Sequence, residues 1–494
     1  MKQFIQIHPS DSVAVALCSV AAGQTVQVGD CTLMTKETIP AGHKMALRHL
    51  AAGEVVRKYG FPIGTAVCEI QAGSWVHTHN LQTGLGASDR YKYLPDFSPL
   101  PQETPREFAG YRRTDGSVGI RNEVWIIPTV GCVNAVVQEI SRRAQRFLTP
   151  AIDGIYAFPH PYGCSQLGDD LAVTQKTLAG LIRHPNAGAV LVVGLGCENN
   201  TMDGMKQALG SYDKDRVRFL VCQACEDEVA EGMRQMEELC QYASTFRRQL
   251  CSVKRLVVGL KCGGSDGFSG ITANPLVGAF SDRLIAQGGT TILTEVPEMF
   301  GAEPLLMNRC ENQEVFEKTV SLIQDFKQYF VEHHQTVDGN PSPGNKAGGI
   351  TTLEDKALGC VQKGGTAPIC DVLLNGQQVS KSGFQLLQAP GNDLVAATAL
   401  AASGAQLILF TTGRGTPFGC PVPTIKISSN SALAEKKRRW IDFDAGRVLA
   451  GVSAADLTEE LFGLVLAVAS GTEKAKAESF AVHDFAIFKD GVTL

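Results

Sequence analysis

Residues 189–200 read Ala-Val-Leu-Val-Val-Gly-Leu-Gly-Cys-Glu-Asn-Asn. A near-continuous apolar run of seven residues suits a strand buried on both faces, as in a parallel sheet covered by helices. The run ends in a glycine and a cysteine, then small polar residues. The same grammar recurs on either side. Val124–Val130 precedes Gly131-Cys132-Val133-Asn134 and a helical stretch from Ala135 to Phe147. Ile155–Phe158 leads to His160-Pro-Tyr-Gly-Cys164-Ser165, and Leu256–Leu260 to Lys261-Cys262-Gly-Gly-Ser-Asp266. Strand, loop and helix in alternation predict an α/β fold with a mainly parallel sheet.

Cys132, Cys164, Cys197 and Cys262 each follow a predicted strand, and Cys222 closes Val217–Val221. Ligands in such sheets bind outside the carboxyl ends of the strands. Thiolates delivered there suit iron, zinc or iron–sulfur clusters. Cys132 reads either way, because the residues after it could begin a buried helix and make its thiol a packing group. Cys222-Gln-Ala-Cys225 lacks a second such pair and is given no role.

The first 95 residues have a different texture: short β-rich runs with glycine turns. Ile39-Pro-Ala-Gly42 and Ile70-Gln-Ala-Gly73 repeat one turn, and the segment reads as a small β-rich module. In His77-Thr78-His79 the two imidazoles share one side of an extended chain, and His43 follows Gly42. Tyr93–Pro105 holds four prolines in 13 residues, a semi-stiff linker. The organisation expected is 1–95 β-module, 96–109 linker, 110–250 middle α/β domain and 251–494 C-terminal α/β domain. The polar helical stretch 227–248 marks the divide between the last two.

Composition narrows the function. Apolar residues make up 44% and charged residues 19%, and the net charge is −5, so this is an ordered chain without the basic excess that nucleic acid requires. The opening residues lack the apolar core of a signal peptide. Leu394–Gly413 carries no charge but is Ala-rich and broken by polar residues, which argues a buried segment over a membrane span. Fifteen cysteines in such a chain argue against a disulfide framework and for a cytoplasmic location.

Seven motifs together resemble one family. They are Gly42-His-Lys-Met-Ala46, Asp115–Asn122, Tyr162–Asp170, Gly194–Asn199, Cys262–Asp266, Asn340–Lys346 and Thr412–Pro417. The family is that of the altronate and galactarate dehydratases, and the resemblance covers nearly the whole chain. It implies an SAF-type β-clip module ahead of the α/β domains. It also implies a hydro-lyase that removes water from a sugar acid to give a 2-keto-3-deoxy acid. The wording at His77–His79 and Ser165–Asp170 looks like the altronate branch, whose product would be 2-dehydro-3-deoxy-D-gluconate in hexuronate breakdown. The cofactor implied is Fe2+, with Mn2+ a second choice, and an iron–sulfur cluster stays open. The expected partners are a small sugar acid and a second copy in a homodimer, with neither nucleic acid nor membrane. A galactarate-type lyase and a non-enzymatic sugar-acid-binding protein are the competing readings.

The chemistry needs a base beside the carboxylate, a cation to hold developing charge, and help for the leaving hydroxyl. His43, Asp170 and Asp266 are the candidate bases. Lys346 and Arg414 are candidates for the substrate carboxylate. Cys164, Cys197, Cys262, His77 and His79 are the candidate metal ligands. They could form a single-ion site with histidine and carboxylate, or a cluster on three strand-end cysteines. The three histidines should face the α/β body.

Overall fold

The computed structural model describes residues 2–85 and 91–494. The N-terminal module is built of short antiparallel strands. Phe4–Ile5, Val13–Ala16, Lys44–Ala46 and Trp75–Val76 form one sheet, and Val55–Lys58, Phe61–Ala66 and Leu81–Gln82 a second. The turn read twice in the sequence occurs four times, at Val20–Gly23, Ile39–Gly42, Leu50–Gly53 and Ile70–Gly73. Its apolar residues bridge in pairs, Val20 with Ile39 and Leu50 with Ile70. Its glycines all take the left-handed backbone, with φ between 77° and 87°, where a Cβ is strained.

The proline-rich segment is a strap across the C-terminal body. Tyr93 donates its hydroxyl to the Cys310 carbonyl at 2.6 Å. The Asp96 and Glu103 amides donate to the carbonyls of Asn308 and Ala286. Proline fixes φ and suits such an extended path.

The strap enters a three-stranded antiparallel sheet, where Glu107–Arg112 pairs with both Val118–Gly119 and Arg248–Ser252. Entry to and exit from the middle α/β unit are thus clasped together. The expected helical divide is resolved differently. The helix Glu228–Ala243 packs on the middle sheet, burying Met233, Met236 and Leu239, and the crossing point is the strand after it.

The middle sheet is parallel, in the order Gly154–Ala157, Glu123–Pro128, Ala187–Gly194, Val217–Val221. All eight residues of Ala187–Gly194 are buried. A second parallel sheet has seven strands, with Val257–Cys262 central between Thr290–Leu293 and Leu407–Thr412. One hydrophobic core joins the two sheets through the helices Gly168–Arg183 and Asp393–Ala402. The Ala-rich run is explained there: a Cβ on Gly180 would stand 2.3 Å from the Ala402 carbonyl oxygen, so only small side chains allow this approach. Among the described residues no helix is long and apolar enough to cross a membrane.

The β-module docks on the C-terminal body through buried charge. Lys44 Nζ donates to the Gly349 carbonyl, Thr351 Oγ1 and Asp355 Oδ2 at 2.7–2.8 Å. Lys58 Nζ reaches Asp355 Oδ1 at 2.9 Å. Both lysines and the aspartate are buried.

Candidate active site

At the carboxyl end of the seven-stranded sheet, successive strands deliver charged residues to one place. Lys261 and Cys262 end the central strand, and Glu295 and Glu298 follow its neighbour Thr290–Leu293. The fully buried helix Leu353–Cys360 and the turn after it bring Lys356, Cys360 and Lys363. Lys261 Nζ sits 2.6 Å from Glu295 Oε1 and 2.9 Å from Asp393 Oδ1. Glu295 holds φ at +71°, a left-handed conformation that strains a non-glycine residue and is commonest at functional sites. Lys356 Nζ lies 2.7 Å from Glu298 Oε1, and Lys363 Nζ lies 3.0 Å from Cys262 Sγ.

Electrostatics follow from this packing. Burial would raise the Glu298 carboxyl, but the Lys356 and Lys363 ammoniums outweigh it and hold it down to about 2. The Cys262 thiol is pushed well up, first by its hydrogen bond with Cys360 and then by burial. Burial works to lower the Lys356 ammonium, yet Glu298 prevails and raises it. The ligand atoms of Cys262, Glu298 and Cys360 lie within 4.8 Å of one another, a group that could hold a metal ion. Here, however, two lysines already supply the positive charge. A metal there would have to displace them and strip a proton from the Cys262 thiol, which holds it firmly.

The cluster opens into a cavity of about 430 Å³ lined by Cys262, Gly264, Glu298, Asn340, Asn345, Lys356 and Asp393. Asp393 begins its helix at the rim. Lys261 takes Oδ1, and no donor among the described residues takes Oδ2. Two expected carboxylate binders neighbour lining residues along the chain or through the backbone. The Arg414 amide donates to the Gly264 carbonyl. Lys346 follows Asn345, whose side chain bridges Ser265 O and Lys356 Nζ. Both cations are exposed and have no salt-bridge partner among the described residues.

The predicted bases are engaged elsewhere. Asp266 is buried and organises a loop. Its Oδ1 accepts from Ser269, Phe268 and Ser429, and its Oδ2 from Asn430. Asp170 accepts the backbone amides of Asp490 and Gly491, one on each oxygen, and so anchors the C-terminal tail. His43 Nδ1 accepts from Trp75 Nε1 at 3.1 Å, leaving Nε2 to face the Ala347 carbonyl. Burial and nearby Lys44 lower its pKa.

His43, His77 and His79 gather around Trp75, with ring centroids 4.9–5.3 Å apart, at the seam with residues 347–351. His77 Nδ1 pairs with Thr351 Oγ1, and burial, with Lys44 and then His43 nearby, lowers its pKa to about 4. His77 is buried and His79 exposed, and they are not part of a three-donor metal group among the described residues. The cysteine expectation divides. Cys262 ends a strand of the large sheet, whereas Cys164 and Cys197 follow strands of the middle sheet, so the three do not form one set.

Comparison with known proteins covers the whole chain. Residues 2–84 match the altronate/galactarate dehydratase SAF domain, 110–244 the second domain of D-galactarate dehydratase/altronate hydrolase, and 253–493 the D-galactarate/altronate dehydratase C-terminal domain. The chain is 51% identical to altronate dehydratase of Escherichia coli (strain K12) and 50% identical to that of Bacillus subtilis (strain 168), over 100% of each chain. It is 35% identical to the L-threo-forming galactarate dehydratase of Escherichia coli (strain K12), over 97% of this chain and 95% of that one.

Proposed function

This chain belongs to the D-galactarate/altronate dehydratase family, and we propose that it is the hydro-lyase that takes water from altronate. The supporting observation is full-length identity near 50% to two altronate dehydratases, against 35% to the galactarate enzyme. In the reaction the C2–H bond breaks and its proton goes to a base. The C3–O bond breaks, and the hydroxyl leaves with a proton as water. The resulting enol tautomerises to the 2-keto-3-deoxy acid.

The cavity beside Lys356 offers the right chemistry. Arg414 and Lys346 draw the substrate carboxylate to the mouth, and Asn340 and Asn345 face its hydroxyls. Asp393 Oδ2 is the open carboxylate oxygen there, so we assign it the C2 proton. Lys356, kept protonated by Glu298, is assigned the departing hydroxyl. Iron is the metal proposed, because thiol donors favour it over oxygen-preferring manganese. When bound, it would supply Lewis acidity to an oxygen of the substrate.

Altronate and galactarate offered separately should give 2-keto acid mainly from altronate. Asp393→Asn should lower kcat by roughly 10²–10⁴, the usual worth of a general base, with the unfolding midpoint unchanged. Preference for galactarate refutes the substrate reading, and a fully active Asp393→Asn enzyme refutes the base.

A further inference from the structure

Three adjacent strands of the middle sheet end in loops that carry the same dipeptide: Gly131-Cys132, Gly163-Cys164 and Gly196-Cys197. All three thiols are exposed, unlike Cys222, Cys240, Cys262 and Cys360. The loops are sewn to one another. The Gly131 amide donates to the Tyr162 carbonyl, and the Asn200 amide to the Gly163 carbonyl, each at 2.9 Å. The Ser165 amide donates to Asn199 Oδ1 at 2.7 Å. Asn134 Nδ2 donates to the His160 carbonyl at 2.9 Å. Buried Glu198 takes the Leu195 and Gly196 amides and shapes the Cys197 loop.

The glycines are what allow this. A Cβ on Gly163 would stand 2.0 Å from the Thr129 carbonyl oxygen, and one on Gly131 2.8 Å from that of His160. Gly163 and Gly196 also hold φ at 97° and 127°. The backbone is pinched so that three sulfurs stand out from one edge. Two buried polar atoms beside them lack a protein partner, Gln166 Nε2 and Asn200 Oδ1.

We propose that Cys132, Cys164 and Cys197 hold a [4Fe–4S] cluster through three irons, leaving the fourth iron open to a small oxygen ligand. Three soft thiolates are the donor set such clusters use. Assembly deprotonates three thiols and releases three protons, with no net redox change when ferrous and ferric iron and sulfide are supplied in the cluster's own ratio. Gln166 Nε2 is a ready donor to a cluster sulfur. Asp169 and Asp170 at the start of the helix after Cys164, and Gln388–Pro390 just before Asp393, line one common cleft. The proposal deepens the dehydratase reading by giving its iron a place.

The test is anaerobic reconstitution of the full chain with iron and sulfide. About four irons and four acid-labile sulfides per chain are expected, with a broad visible charge-transfer band and a paramagnetic signal on reduction. Cys132→Ser, Cys164→Ser and Cys197→Ser should each lose the band and the sulfide while circular dichroism shows a folded chain. Cys225→Ser and Cys262→Ser should keep both. Iron bound without sulfide, retention in all three variants, or loss only on Cys262→Ser or Cys360→Ser would overturn the assignment. A protein that carries the cluster but makes no 2-keto acid from altronate refutes the dehydratase reading and leaves the cluster site standing.

Discussion

Three aspartates illustrate how little a residue type says without its neighbours. Asp266 and Asp170 have both oxygens engaged by donors of the fold, whereas Asp393 keeps one oxygen toward a cavity. Their substitutions should therefore read out differently. Asp170→Asn replaces one of two amide acceptors on the tail and should lower unfolding stability by about 1–2 kcal/mol, measured in urea, with turnover per folded enzyme unchanged. A fall in kcat with no stability loss would return Asp170 to the chemistry. Lys356 and Glu298 show the same dependence on context. Burial alone would drive each toward its neutral form, and their 2.7 Å contact keeps both charged.

The helix Leu353–Cys360 shows where sequence reading stops. Glu354, Asp355 and Lys356 are buried within it, although adjacent charges ordinarily mark a solvated face. Their partners are remote: Asp355 meets Lys44 and Lys58, 311 and 297 positions away, and Lys356 meets Glu298, 58 away. No local pattern announces such pairings. The strand ends were legible for the opposite reason. A strand such as Ala187–Gly194, buried on both faces, must be apolar throughout, so its last residue is visible where the apolar run breaks. The Cys164 and Cys197 positions can be read that way, but the assignment of each strand to one of two sheets cannot, and so the pattern alone places Cys262 with them. Asp355→Asn should leave Lys44 and Lys58 buried without a counter-charge. A loss of about 3–5 kcal/mol is expected, together with faster proteolysis between the β-module and the body. Burial raises the Asp355 carboxyl, but Lys44 and Lys58 outweigh it and depress it strongly. Its contribution is therefore complete above the unfolded carboxylate pKa of about 3.9 and is lost only in stronger acid.

Across the whole molecule the acid response is set first by histidines. His77, His160 and His184 are each lowered to about 4, chiefly by burial. The unfolded chain binds their protons near pH 6.5 and the folded chain only near 4. Stability is then full above pH 6.5 and declines as pH falls through that window. Thermal unfolding at pH 5 should come at lower temperature than at pH 7. His184→Gln, which keeps a donor for the Ala405 carbonyl, should flatten the slope, and an unchanged slope would remove His184 from this account. The Lys44–Asp355–Lys58 rivet has a further consequence in time. On the ribosome the β-module emerges first, with two lysines facing a seam that does not yet exist. Lys58 waits for a partner 297 residues downstream, roughly 15–60 s at ordinary elongation rates. During that interval the nascent module stays wetted at this face, and it cannot be riveted before Asp355 has been made.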